Sequence, residues 1–190
     1  MMILLILLAM SGEEGFSTAV PATTTSDSAL FIQACQLYKA KNDSAAAELF
    51  YRVAKDFPQS DRTPDALYYA GTLFYKLSRY SDAAEAFTTY RRDYPNGEYS
   101  AWVTHWLGMS LFGLGKYREA IGVFNEELSG FPDSESRGDA LKFIGMCYVQ
   151  LGETEKAVEV FQQAIETYRK DGRLEEIALL EEYVKDLREE

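Results

Sequence analysis

Apolar and small residues recur along the chain at three- and four-residue intervals, as in Leu67, Ala70, Gly71 and Phe74, and again one turn apart in Ala83 and Phe87. That spacing puts side chains on one face of a helix, and no stretch keeps the strict alternation of a half-buried strand. The pattern predicts nine helices, at about 28–41, 44–57, 64–78, 81–94, 100–114, 118–131, 137–151, 155–170 and 174–188.

The helices repeat. Small residues stand at Ala34, Gly71, Gly108 and Gly145, alanines at Ala46, Ala83, Ala120 and Ala157, and phenylalanines at Phe50, Phe87, Phe124 and Phe161, always 37 residues apart. An aromatic follows the same step at Phe57, Tyr94, Phe131 and Tyr168; Pro58, Pro95 and Pro132 come after the first three, and Arg169 after the fourth. A fixed period of this size marks a stack of helical hairpins, here units of about 28–63, 64–99, 100–136 and 137–173, with an atypical last unit.

A glycine or alanine on one helix leaves room for a bulky partner against its backbone, so Phe87 is expected to pack on Gly71. Gly115-Lys116-Tyr117 and Gly152-Glu153-Thr154 read as turns inside hairpins, and Thr63-Pro64-Asp65 as an N-cap followed by a first-turn proline. Residues 174–190 carry one apolar stripe, Leu174, Ile177, Leu180, Val184 and Leu187, with acidic residues elsewhere; this predicts a helix that caps the open end of the stack.

These landmarks resemble the tetratricopeptide repeat, most closely in Leu107-Gly108, Leu114-Gly115, Tyr117, Ala120, Phe124 and Pro132 of the third unit. The resemblance covers about residues 28–190 and implies an all-α fold: a right-handed superhelix of four helical hairpins plus a C-terminal capping helix. The unit exceeds the usual 34 residues by three, inserted after the aromatic-proline pair, as in Phe57-Pro58-Gln59-Ser60. In that respect it is similar to a bacterial envelope subgroup that includes the repeat domain of the Tol-Pal-associated cell-division coordinator and the tetratricopeptide lipoprotein of outer-membrane β-barrel assembly.

The resemblance further implies that the inner surface of the superhelix is lined by the first helix of each pair. In register, this stripe runs through Phe31, Cys35 and Tyr38; Tyr68, Thr72 and Tyr75; Trp102, His105, Met109 and Phe112; and Lys142, Met146 and Val149. Exposed aromatics and methionines side by side mark recognition surfaces, so the stripe is expected to hold another protein or a peptide segment. The alternatives are that the same side chains are core between tightly wound repeats, that the N-terminal segment folds back over them, or that a homo-oligomer buries them. The family's carboxylate-clamp mode requires Lys and Asn at positions that here hold Phe31, Tyr68 or His105 and Cys35, Thr72 or Met109, and is absent.

Composition narrows the partner. A net charge of −11 repels phosphates and anionic lipid headgroups, so nucleic acid is excluded as a partner class. The run Met1–Met10 is uninterruptedly apolar and precedes Ser17-Thr18-Ala19 and Val20-Pro21-Ala22, both similar to signal-peptidase sites. Residues 1–22 therefore read as a signal peptide and 23–27 as a flexible lead-in, giving an exported, periplasmic protein; without a working signal it would be cytoplasmic. Ten apolar residues fall short of the ~20 that span a membrane, so no retained transmembrane anchor is expected.

No catalytic centre is expected. His105 is the only histidine and lacks metal-ligand spacing around it, Cys35 and Cys147 lie three repeats apart and read as free thiols, and no glycine-rich phosphate loop occurs. Glu126-Glu127 and Glu181-Glu182 read as solvated pairs. Neither cofactor nor metal is called for, and the function expected is a non-enzymatic interaction scaffold of the cell envelope, the alternatives being a self-assembling structural repeat protein or a regulatory subunit of an envelope enzyme.

Overall fold

In the computed structural model, residues 26–189 are described; the expected signal peptide and the start of the lead-in lie outside them. Among the described residues there are nine α-helices: α1 Asp27–Lys39, α2 Asp43–Asp56, α3 Thr63–Lys76, α4 Tyr80–Asp93, α5 Ser100–Gly113, α6 Tyr117–Gly130, α7 Arg137–Gln150, α8 Thr154–Asp171 and α9 Leu174–Glu189. Each packs on its neighbour in sequence, forming a helical repeat superhelix of four hairpins closed by α9. Beyond sequence neighbours, α5 touches α3 and α7, so the first helices of units two, three and four lie side by side in one row.

The expected glycine–aromatic joints are present. A Cβ on Gly108 would lie 2.6 Å from the Phe124 ring, inside van der Waals contact, and Gly71 and Gly145 meet Phe87 and Phe161 in the same way. All four repeated phenylalanines are buried. A second joint follows the same period: Tyr69 stacks on Phe50 at 5.3 Å and Phe143 on Phe124 at 5.7 Å. It ties the first helix of one unit to the second helix of the unit before.

Four turns also share a conformation. Lys41, Ser78, Gly115 and Gly152 all have φ between 58° and 73°, the left-handed region that only glycine enters without strain. The sequence displays the turn where glycine occupies it and hides it at Lys41 and Ser78.

Three local expectations need correction. The lead-in does not extend to residue 27: Ser26 caps α1 by accepting the Ala29 amide, and Asp27 is already helical. Thr63 is the first residue of α3, not its N-cap, and its hydroxyl donates to the Phe57 carbonyl at 2.7 Å; Ser100 repeats this on Tyr94 at 3.2 Å. On α9, Ile177, Leu180 and Val184 are buried as the cap stripe requires, but Leu174 stands 73% exposed at the start of the helix.

Candidate functional site

The predicted stripe divides into three groups. Tyr38 and Trp102 are the most open, at 42% and 46% exposure. Tyr68, Thr72, Tyr75, Met109, Phe112, Lys142 and Met146 are half-buried. Phe31 and His105 are buried, at 8% and 7%.

Phe31 is therefore core and not groove lining. It packs edge-on against Phe50 at 5.3 Å, with the Arg62 guanidinium 5.1 Å over its ring. The half-buried aromatics also serve packing: Tyr75 lies edge-on to Trp106 at 5.0 Å and Phe112 to Phe143 at 5.5 Å, joining successive units, while Tyr68 stacks on Tyr99 at 4.3 Å within unit two. Their half-burial leaves only part of each ring open to a partner.

At the junction of α5 and α7 the groove deepens into a cavity of about 850 Å³. Trp102, His105 and Met109 from the predicted stripe meet there, together with Lys142 one unit on; Tyr38, Tyr68 and Tyr75 lie elsewhere along the row. Trp106 and Phe143 also line it. Sequence reasoning passed over this pair, although with Tyr69 they form another 37-residue series that could have revealed them.

Beneath the cavity lies a buried polar cluster. Glu127, 1% exposed, accepts from His105 Nδ1 at 3.0 and 3.2 Å through its two oxygens, and from the Ser136 hydroxyl at 2.5 Å; Ser134 reaches Ser136 at 2.7 Å. Glu127 is thus not solvated, whereas Glu126 is exposed and pairs with Arg91. A buried carboxylate persists only when hydrogen-bonded, and the histidine and serine satisfy it here. The missing signal was the repeat register: Glu127 falls 37 residues after the buried Tyr90.

The cluster does not assemble a nucleophile. His105 and Ser136 both bond the Glu127 carboxylate and make no hydrogen bond to each other, so the imidazole is not placed to take the serine proton. Among the described residues, no group of three His, Cys, Asp or Glu side chains could hold a metal. The buried Cys147 thiol is pushed up to about 12 by burial.

A second polar cluster forms the cavity's far wall. Asp139 receives Arg173 Nη1 at 2.9 Å, the Tyr168 hydroxyl at 2.8 Å and Lys142 Nζ at 3.1 Å. Burial alone would raise its pKa, but the hydrogen bonds from Arg173, Tyr168 and Lys142 outweigh it and hold the carboxyl at about 2. Lys142, read as a groove residue, is thereby engaged, and so is Arg173, which also bonds Glu176 at 2.8 Å.

Family models for the tetratricopeptide repeat match residues 28–60, 65–97 and 99–170. The chain belongs to the tetratricopeptide-repeat family, a class of protein–protein interaction scaffolds, and the matching models describe a repeat module and no catalytic domain. No curated protein matches it. Among solved structures it is similar to MamA of MSR-1, at 22% identity and a TM-score of 0.67 over 79% of this chain and 81% of that one. MamA from Desulfovibrio magneticus RS-1 aligns at 18% identity and a TM-score of 0.64, covering 77% and 78%. TPR-like repeats from Podosopora anserina align at 14% and 0.59, covering 85% and 93%. At these identities the likeness is one of fold.

Proposed function

We propose that the protein is a non-catalytic scaffold of the cell envelope that holds a segment of another polypeptide against the row of first helices. The observation that carries this reading is the cavity between α5 and α7, walled by Trp102, Trp106 and Phe143 at the centre of that row. Large aromatic surface left open beside polar groups is the usual composition of a binding anchor. Export is supported by the apolar run Met1–Met10 and the small-residue triplets after it; the three-residue lengthening of each unit supports the envelope subgroup, in outer-membrane assembly or division coordination.

Purifying the full chain from native membranes and periplasm, beside a variant carrying Tyr38→Ser and Trp102→Ser, tests both parts. The reading expects one distinct polypeptide to accompany the native chain and to be lost from the variant, with helicity retained. It also expects a mature N-terminus at Val20 or Thr23. Recovery of the same proteins with both forms, or an intact Met1 in the cytoplasm, contradicts it.

Self-assembly is the second reading, favoured by the apolar side chains that α9 leaves open: Leu174, Leu179 and Tyr183, at 73%, 69% and 39% exposure. Leu179→Glu separates the two, because it lowers the mass in solution at high concentration only where copies meet through the cap.

A further inference from the structure

We infer that the cavity between α5 and α7 is a receptor for one basic side chain, an arginine or lysine projecting from the bound segment. This rests on the reading of the first-helix row as a binding surface and specifies what its deepest point takes.

The chemistry of the lining points to a donor-only cation. Asp133, Glu135 and Asp171 border the cavity and are held by no ion pair among the described residues, whereas both lining cations, Lys142 and Arg173, are already tied to Asp139. The cavity thus carries free negative charge on the same lining as the indoles of Trp102 and Trp106, and Trp102 shares a surface patch with Asp133 and Glu135. A guanidinium or ammonium lying over an indole beside carboxylates gains from both.

His105 adds an independent indication. The side chain is more than nine-tenths buried, and Glu127 fixes it through Nδ1. The carboxylate accepts from Nδ1, so the one other lining group that can carry positive charge is matched by Glu127 and adds no net positive charge to the cavity. Nε2 makes no hydrogen bond among the described residues, and His105 lines the cavity. The matched histidine and the unpaired carboxylates of the rim leave the cavity net negative, which suits a ligand that brings positive charge. No other unit can build this arrangement, because the positions of His105 and Glu127 hold Phe31 and Val53, Tyr68 and Tyr90, and Lys142 and Ala164 in units one, two and four.

The chain's two tryptophans are Trp102 and Trp106, so its indole fluorescence reports on this cavity alone. Titrating the full chain with Nα-acetyl-arginine N-methylamide should give a saturable change with a Kd in the millimolar range, about that of a single anchoring contact. The citrulline counterpart has the same shape without charge and should bind at least about tenfold more weakly, and added salt should weaken the arginine response. Asp133→Asn with Glu135→Gln, both on an exposed loop, should reduce arginine binding while leaving the melting curve in place.

Equal binding of citrulline, an unchanged affinity in the double variant, or no saturation by about 50 mM would each overturn the basic anchor. A partner captured by the native chain without any arginine response sinks the anchor alone. An arginine response with no partner captured sinks the scaffold reading instead.

Discussion

Units two and three share a backbone but bury different chemistry at aligned positions. Unit two places Tyr68, Tyr90 and Tyr99 where unit three places His105, Glu127 and Ser136. The tyrosines fill their space: Tyr68 stacks on Tyr99, and the Tyr90 hydroxyl accepts the Tyr99 amide at 3.0 Å. The smaller polar set leaves the cavity open above it and needs every member to satisfy the others. A repeat array tolerates the exchange because each unit is stabilised by its immediate neighbours. The difference teaches that a joint filled with aromatics becomes structure, whereas a joint underfilled and lined with hydrogen-bonding groups becomes a site.

The largest expected effect comes from breaking the polar cluster. Glu127→Ala leaves the His105 and Ser136 groups without their acceptor and opens a void, for a loss of about 3 kcal/mol. In a chain of this size that lowers Tm by roughly 6–12 °C in a calorimetric scan. Tyr90→Phe in unit two removes one hydrogen bond and should cost only about 1 kcal/mol. Converting unit three into unit two, with His105→Tyr, Glu127→Tyr and Ser136→Tyr together, should recover most of the Glu127→Ala loss and close the cavity. If the triple variant is no more stable than Glu127→Ala, the two units do not differ as described.

Gly108→Ala comes next. The added Cβ has no room against Phe124, and overpacking of this kind costs about 2 kcal/mol by chemical denaturation.

Asp139 sharpens the comparison through pH. Its pKa falls from an ordinary 3.8 to about 2 in the folded chain, so the carboxylate stabilises the fold above pH ~4 and loses that contribution as pH falls toward 2. The amount is about 2 kcal/mol, and Asp139→Asn should flatten the acid limb of the stability–pH curve. Smallest is Ser78→Gly, which relieves a left-handed φ of 58° and should stabilise by about 1 kcal/mol.

The helices and the glycine–aromatic joints were legible because both follow from spacing, and the 37-residue step repeats each signal. The site was legible only in part. Trp102 and His105 could be placed on the first-helix row, but Phe31 and His105, which share one register position, are both buried, since exposure depends on how tightly neighbouring units wind. Glu127 escaped because it sits beside Glu126 and looks like half of a surface pair. Only alignment to Tyr90 shows that its position faces inward. Trp106 and Phe143 were hidden behind the assumption that one stripe per helix faces the groove.

The central claim is that the row of first helices, and not the outer face, meets a partner. It is tested most directly by photo-crosslinking in native cells with a photo-reactive residue at Tyr38 in one strain and at Arg118, an exposed residue of α6, in another. The account predicts that Tyr38 captures one distinct envelope protein and that Arg118 captures none of it. Capture of the same protein from Arg118 alone, or only self-adducts from Tyr38, would contradict it.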